Sequence, residues 1–175
     1  MNDSINVVHT LGFLIDYDGN LSRVLGEAIH VAKLGCKVDV IASNNVPMVN
    51  MKGALDNGVK IHLAKVLFPR TEIGWRLNNA IPLFVETLRV LRSRSKSVLH
   101  VAAPTPVTKP LTATEVGRRL KKPMVLDLHD PWSANPFSLN LILTLQTQIM
   151  RRAINEVDYV VVAHTALVDL VRRIN

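Results

Sequence analysis

The stretch PMVLDLHDPW (Pro123 to Trp132) joins an apolar run to a cluster of ionisable side chains. Met124, Val125, Leu126 and Leu128 suit a fully buried strand. Asp127, His129 and Asp130 crowd its end, where Pro131 stops it. Three kinds of chemistry suit these residues. His129 with Asp127 and Asp130 offers metal ligands, but neighbours at i and i+1 on a strand end rarely converge on one ion, and no second His/Asp cluster stands close by in sequence. A structural role would have His129 bonding backbone and Asp130 capping a turn before Pro131. A substrate-facing role, which the place at a strand's carboxyl end favours, uses His129 to hydrogen-bond hydroxyls near neutral pH. Asp127 and His129 share one side of a strand at period two. Asp127 therefore either orients the imidazole or points into the sheet to bond backbone. Asp130 stays open between ligand contact and turn cap. Trp132 stays open between stacking on an acceptor and packing under the loop.

A second candidate lies in TLGFLIDYDGNLS, where Gly19 and Asn20 stand directly before a helical pattern. A helix start offers free N–H groups and positive potential to a phosphate, Gly19 allows close approach, and Asn20 can cap. The competing reading is a plain turn and cap. Neither G-x-G-x-x-G nor G-x-x-x-x-G-K-[ST] occurs, which disfavours ordinary dinucleotide or P-loop binding. The stretch APTPVTK adds Thr105 and Lys109 to the same end of the fold. His9 and His100 end or sit inside strands and approach that end as well, but a lone histidine of this kind is more often structural. His30 falls on a polar helix face and His62 within an alternating strand. Cys36, the single cysteine, follows a helix-ending glycine and is no candidate for a reactive thiol; it also excludes an intrachain disulfide.

The elements that position these residues alternate throughout. Strands are expected at Ile5–His9, Lys37–Ser43, Val59–Val66 (near a sheet edge), Ser97–Pro104, Pro123–His129 and Asp158–His164. Between them, Leu21, Val24, Leu25, Ala28 and Ala32 recur at helical spacing, with Arg23, Glu27, His30 and Lys33 on the other face and Gly35 as the stop. A helix over 75–92 carries a stripe of Leu77, Ile81, Phe84, Leu88 and Leu91, with Pro82 expected to kink it. Further helices are expected over 111–122, 136–155 (with Asn135 as cap) and in TALVDLVRR. The pattern predicts an α/β fold: a Rossmann-like, doubly wound, mainly parallel six-stranded sheet with helices on both faces. In such a sheet ligands bind at the carboxyl ends of the strands, which selects the loops carrying Gly19, Thr105, His129 and His164.

Composition sets the outer bounds. The 175 residues suit one domain. They are 48% hydrophobic but only 5% aromatic, so the core is aliphatic. A formal net charge of +7 favours anionic partners. Nucleic acid is not expected, because no aromatic-basic surface motif accompanies the charge. The N-terminus shows no signal peptide pattern. Residues 131–150 carry no charge, yet Asn135, Pro136, Asn140, Gln146 and Gln148 argue against a membrane span. Leu139, Leu141, Ile142, Leu143 and Leu145 wrap more than one helix face. They suit either burial or, with Arg151 and Arg152, contact with a lipid acceptor or membrane surface. Arg89, Arg92, Arg94 and Lys96 form another basic group open to the second role.

With these residues in place, DGNLSRVLGEAIHVAKLGCKVDVIAS resembles the opening of the group 1, family 4 glycosyltransferases, retaining enzymes of the GT-B fold. Gly19 matches the first glycine of that family's Gly-Gly loop, Asn20 replaces the second, and Ser22, Arg23 and Val24 continue the pattern. Gly35 to Val38 matches its G-H-x-V with Cys36 in place of histidine. KKPMVLDLHDPW is similar to its fifth strand and His-Asp loop, and VDYVVVAHTAL to its A-D-x-V-V-x-S strand. The resemblance covers essentially the whole chain and implies that residues 1–175 are the N-terminal, acceptor-side domain of a longer protein. A C-terminal domain with an E-x7-E motif, to which nothing here corresponds, would hold most of the nucleotide sugar. It further implies His129 as the residue at the reaction centre and places the Gly19 loop against the donor diphosphate; together with the strand-end loops this gives Gly19, Asn20, Arg23, Thr105, Lys109, Asp130 and Trp132 as the substrate-binding candidates. The resemblance implies a nucleotide-diphosphate sugar as donor and a glycan or lipid-linked acceptor. No metal and no further cofactor are expected, the location is cytoplasmic or peripheral to the inner membrane face, and the chain alone is expected to be inactive. The alternative is a non-catalytic Rossmann-like module that binds an anionic ligand.

Overall fold

Runs rich in valine, leucine and isoleucine form six strands: β1 (Asn6–Thr10), β2 (Lys37–Ser43), β3 (Lys60–Ala64), β4 (Ser97–Ala103), β5 (Met124–Leu128) and β6 (Tyr159–Val162). The computed structural model describes residues 5–10, 18–43, 48–65, 72–103, 108–129 and 140–174. All five strand pairings are parallel, in the order β3-β2-β1-β4-β5-β6. Parallel neighbours need crossovers. These are supplied by α1 (Asp18–Lys33), α2 (Met48–Asp56), α3 (Glu72–Arg92), α4 (Thr108–Arg119) and α5 (Asn140–Glu156), and α6 (Thr165–Ile174) follows β6. The expected Rossmann-like six-stranded sheet is the one observed. The order reverses between β1 and β4, which is where such sheets open a crevice for ligands.

Two apolar clusters sandwich the sheet. One joins Val24, Leu25 and Ala28 of α1 and Met51 and Ala54 of α2 to Val38, Val40, Ala42 and Ala102. The other joins Leu83, Val90 and Leu91 of α3 and Ala113 and Val116 of α4 to Val8, Ile41, Leu99, Leu126 and Leu128. Full burial of each valine, leucine, isoleucine or methionine among them contributes roughly 1.5–3 kcal/mol. Alternation along the strands sends odd and even positions to opposite faces.

Several local expectations shift. α1 begins at Asp18, so Gly19 and Asn20 lie inside its first turn, and Asn20 is not the cap. Gly35 ends it in the left-handed region at φ 88°, as a helix-stopping glycine should. The sequence pattern misses α2 altogether. α3 runs through Pro82, and its buried stripe is Leu83, Thr87, Val90 and Leu91. Ile81 is exposed, because it sits roughly half a turn around from Leu83 and Val90 at about 100° per residue. α5 starts at Asn140; Asn135, its expected cap, lies outside the described residues. No helix among the described residues is long and apolar enough to cross a membrane.

Candidate functional site

β1, β4 and β5 bring a line of polar side chains to one face of the sheet beside the switch point. Register sets their order: His9 pairs with His100, and Ala102, two residues on, pairs with Asp127. Strand periodicity then puts His9, His100 and Asp127 on the face that α1 covers. Arg23 and Glu27 do not turn to solvent with His30 and Lys33, as the helical pattern suggests. The flank of α1 that carries them looks over β4 and β5, and both are only part-exposed.

Asp127 is the hub. Its Oδ2 accepts from His129 Nε2 at 2.6 Å, and its two oxygens accept from Arg23 Nη2 at 3.1 and 3.2 Å. Arg23 in turn donates from Nε to Glu27 Oε1 at 2.9 Å. Asp127 therefore orients the imidazole, one of its two sequence readings. Burial alone would push its carboxyl up, but the His129 hydrogen bond and the charges of His129 and Arg23 hold it below the usual range. An ionised Asp127 requires hydrogen on His129 Nε2, which gives Nδ1 the acceptor role in the neutral ring. The direct contact leaves no room for an ion between His129 and Asp127. His129 itself is nearly enclosed at 6% exposure, so only a small part of the ring faces the crevice.

Behind this hub His9 and His100 meet edge to face, with ring centroids 4.5 Å apart and planes at 62°. Burial drives His9 down to about 3, helped by the neighbouring His100. His100 is lowered as well, first by burial, although Asp127 and Glu27 pull it the other way. Both rings are therefore neutral at physiological pH.

The remaining sequence candidates scatter. Gly19 and Asn20 fall in the first turn of α1 and Lys109 in the first turn of α4, two helix starts at the carboxyl side of the sheet. Thr105, Asp130 and Trp132 lie outside the described residues. Arg23 is placed in the site, but its guanidinium serves Asp127 and Glu27. Arg94, proposed for a basic surface, instead grips buried Asp39 with Nε at 2.8 Å and Nη2 at 2.9 Å. A cavity of about 500 Å³ beside Arg94, Lys37 and Lys60 opens at the amino ends of the strands, away from the switch point. Sequence reasoning missed Glu27 as a site residue and did not join His9 to His100. The signal was available in register only: both are fourth residues of neighbouring parallel strands.

Residues 22–175 match the family model described as Glycosyltransferase Family 4. No curated protein matches the sequence. Among solved structures, the fold is similar to Acinetobacter baumannii MurG (11% identity, TM-score 0.59, covering 93% of this chain and 42% of that one). It is similar to Anabaena Alr3699/HepE in complex with UDP-glucose (11%, 0.65, 98% and 41%). It is also similar to a putative UDP-N-acetylglucosamine 2-epimerase from Listeria monocytogenes (11%, 0.63, 97% and 42%). At these identities the likeness is one of fold. The chain spans about two fifths of the length of each of these three structures.

Proposed function

Because the chain belongs to Glycosyltransferase Family 4, we propose that it is the N-terminal, acceptor-side domain of a retaining glycosyltransferase. The complete enzyme moves a hexosyl group from a nucleotide-diphosphate sugar to a glycan or lipid-linked acceptor. The observation that carries this reading is His129 locked by Asp127 at the carboxyl end of β5, beside the switch point. Sugar transfer passes through an oxocarbenium-like state with charge building on the departing diphosphate. His129, held by Asp127, contacts a sugar hydroxyl near the reacting carbon and is not a nucleophile. The first turns of α1 and α4 offer N–H groups and positive potential to the diphosphate, with Gly19, Asn20 and Lys109 closest to it. Thr105, Asp130 and Trp132, which follow β4 and β5 in sequence, complete the substrate contacts. A C-terminal domain supplies the rest of the nucleotide-sugar site. UDP-glucose in the similar Anabaena structure supports a nucleotide-sugar donor. The transfer draws on no cofactor besides the donor, and the protein works in the cytoplasm or at the inner membrane face, without nucleic acid.

His129→Ala in the full-length enzyme tests the proposal: kcat should fall about 100-fold or more. An unchanged kcat would return His129 to a structural role and favour the non-catalytic, anion-binding module, for which Asn20 in the glycine loop is the sequence hint. Donor turnover by residues 1–175 alone at ordinary enzyme rates would overturn the domain assignment. The lipid-facing reading of α5 rests on exposed Leu145 and its neighbours Arg151 and Arg152. Co-sedimentation of the full-length protein with anionic vesicles in low salt checks it, and no binding rejects it.

A further inference from the structure

We propose that His9, Glu27 and His100 form a binding site for one divalent transition-metal ion of the zinc class. The three side chains come from β1, α1 and β4 and converge at the switch point. One ligand atom from each lies within 4.8 Å of the others. Two imidazole nitrogens and a carboxylate oxygen suit zinc, cobalt or nickel; magnesium and calcium call for oxygen donors.

His9 supplies the independent observation. It is 2% exposed, and neither Nδ1 nor Nε2 has a hydrogen-bond partner among the described residues. A buried polar group left this way costs about 1–3 kcal/mol, and proteins rarely carry such a loss without a reason. Glu27 repeats the pattern on one oxygen. Oε1 accepts from Arg23, while Oε2 is buried with no partner among the described residues. Arg23 thus fixes the carboxylate without occupying Oε2.

The surroundings favour a cation. Glu27 brings a carboxylate beside the two rings, with Oε2 left over after its bond from Arg23. An ion about 2.0–2.1 Å from each donor needs donors about 3.4 Å apart, so modest side-chain rotation closes the set. His129 is not among the three converging groups, and its Nε2 meets Asp127. The site is therefore distinct from the Asp127/His129/Asp130 metal reading, and it stands apart from the sugar-transfer reading, which asks nothing of the ion.

Chelator-treated protein titrated with Zn²⁺ by calorimetry, and with Co²⁺ by visible absorption, tests the proposal. One ion per chain should bind, with the d–d bands of nitrogen-ligated cobalt. His9→Asn and Glu27→Gln should each weaken binding about tenfold or more, a loss that even outer-shell partners produce. Glu27→Gln keeps side-chain shape and the acceptor for Arg23, so it remains informative where His9→Asn fails to fold; circular dichroism reads folding in both. His62→Asn, on the Asp39 side of the sheet, should leave stoichiometry and affinity unchanged. The proposal is overturned by wild-type protein that takes up no ion. It is equally overturned by uptake that persists undiminished in folded Glu27→Gln, or that His62→Asn abolishes.

Discussion

Asp127 serves two donors with one buried carboxylate. His129 depends on it for orientation, and Arg23 shares its charge between Asp127 and Glu27. Asp127→Asn keeps the volume but removes the charge and turns an amide N–H toward one of those donors. Stability should drop by about 2 kcal/mol, less than for a fully buried pair because Arg23 is a third exposed and can rehydrate. In the full-length enzyme kcat should fall with KM nearly constant if orientation of His129 matters in the transition state. Asp39 makes a parallel case at the other side of the sheet. Burial pushes its carboxyl up, but bonds from His62 and Arg94 hold it well below the usual carboxylate range. Unfolded aspartate titrates near 3.9, so as pH falls through about 4 the unfolded chain binds the proton first. The stabilisation by Asp39 is whole above about pH 5 and is lost progressively below. The stability gap between wild type and Asp39→Asn, read by urea unfolding, should be constant from pH 7 to 5 and shrink by about 2 kcal/mol in acid. A gap that does not change with pH would show that the Arg94 contact is a neutral hydrogen-bonding effect. At this scale the sequence made His129 and Asp127 legible, because two residues on one strand share a face. It hid Glu27 and the His9–His100 meeting, because those contacts join distant parts of the chain through register.

Secondary-structure elements show which sequence signals sufficed. β2 and the run of β5 stand out through unbroken aliphatic stretches, and α1 through its stripe and Gly35. α2 carries Gly53 and three polar residues in nine, too short and weak a pattern to read alone. It was still implied, since parallel β2 and β3 need a crossover. The phase of the α3 stripe depends on where the sheet lies relative to the helix, which no local pattern encodes. Helix α4 adds a sharp packing constraint. A Cβ on Gly117 would overlap the Met124 side chain and press on Leu99 Cδ2, whereas one on exposed Gly26 of α1 meets nothing within 4 Å. Both glycines sit in helix interiors, where alanine gains about 1 kcal/mol in propensity. At Gly26 that gain is unopposed, and Gly26→Ala should stabilise by about 0.5–1 kcal/mol. At Gly117 overpacking costs about 1–3 kcal/mol, so Gly117→Ala should be neutral to destabilising by up to about 2 kcal/mol. Thermal unfolding of the two variants side by side checks the contrast. Equal gains would mean Met124 swings aside freely.

Among the described residues, the two sheet faces are covered unequally. The apolar cluster on the α1 and α2 side reaches Ala102 of β4 and takes nothing from β5 or β6. The other cluster includes residues of β1, β2, β4 and β5, with β6 valines packed against it. On the sparsely covered face Tyr159 and Val161 pair in register with Val125 and Asp127, and they are 71% and 46% exposed. They also lie on β6, an edge strand whose outer N–H and C=O groups have no strand partner among the described residues. An apolar edge of this kind is a template for association. The net charge of +7 opposes self-association only over a screening length, so salt should expose the tendency. Residues 1–175 in solution should therefore associate with rising concentration, more so at high ionic strength. Val161→Lys places charge on the exposed edge while deleting little burial. It should restore monomers in sedimentation velocity runs and change stability by no more than about 0.5 kcal/mol. Association weakening with salt would instead implicate ionic contacts between basic helix ends and acidic patches. Association unmoved by Val161→Lys would place the sticky surface away from β6.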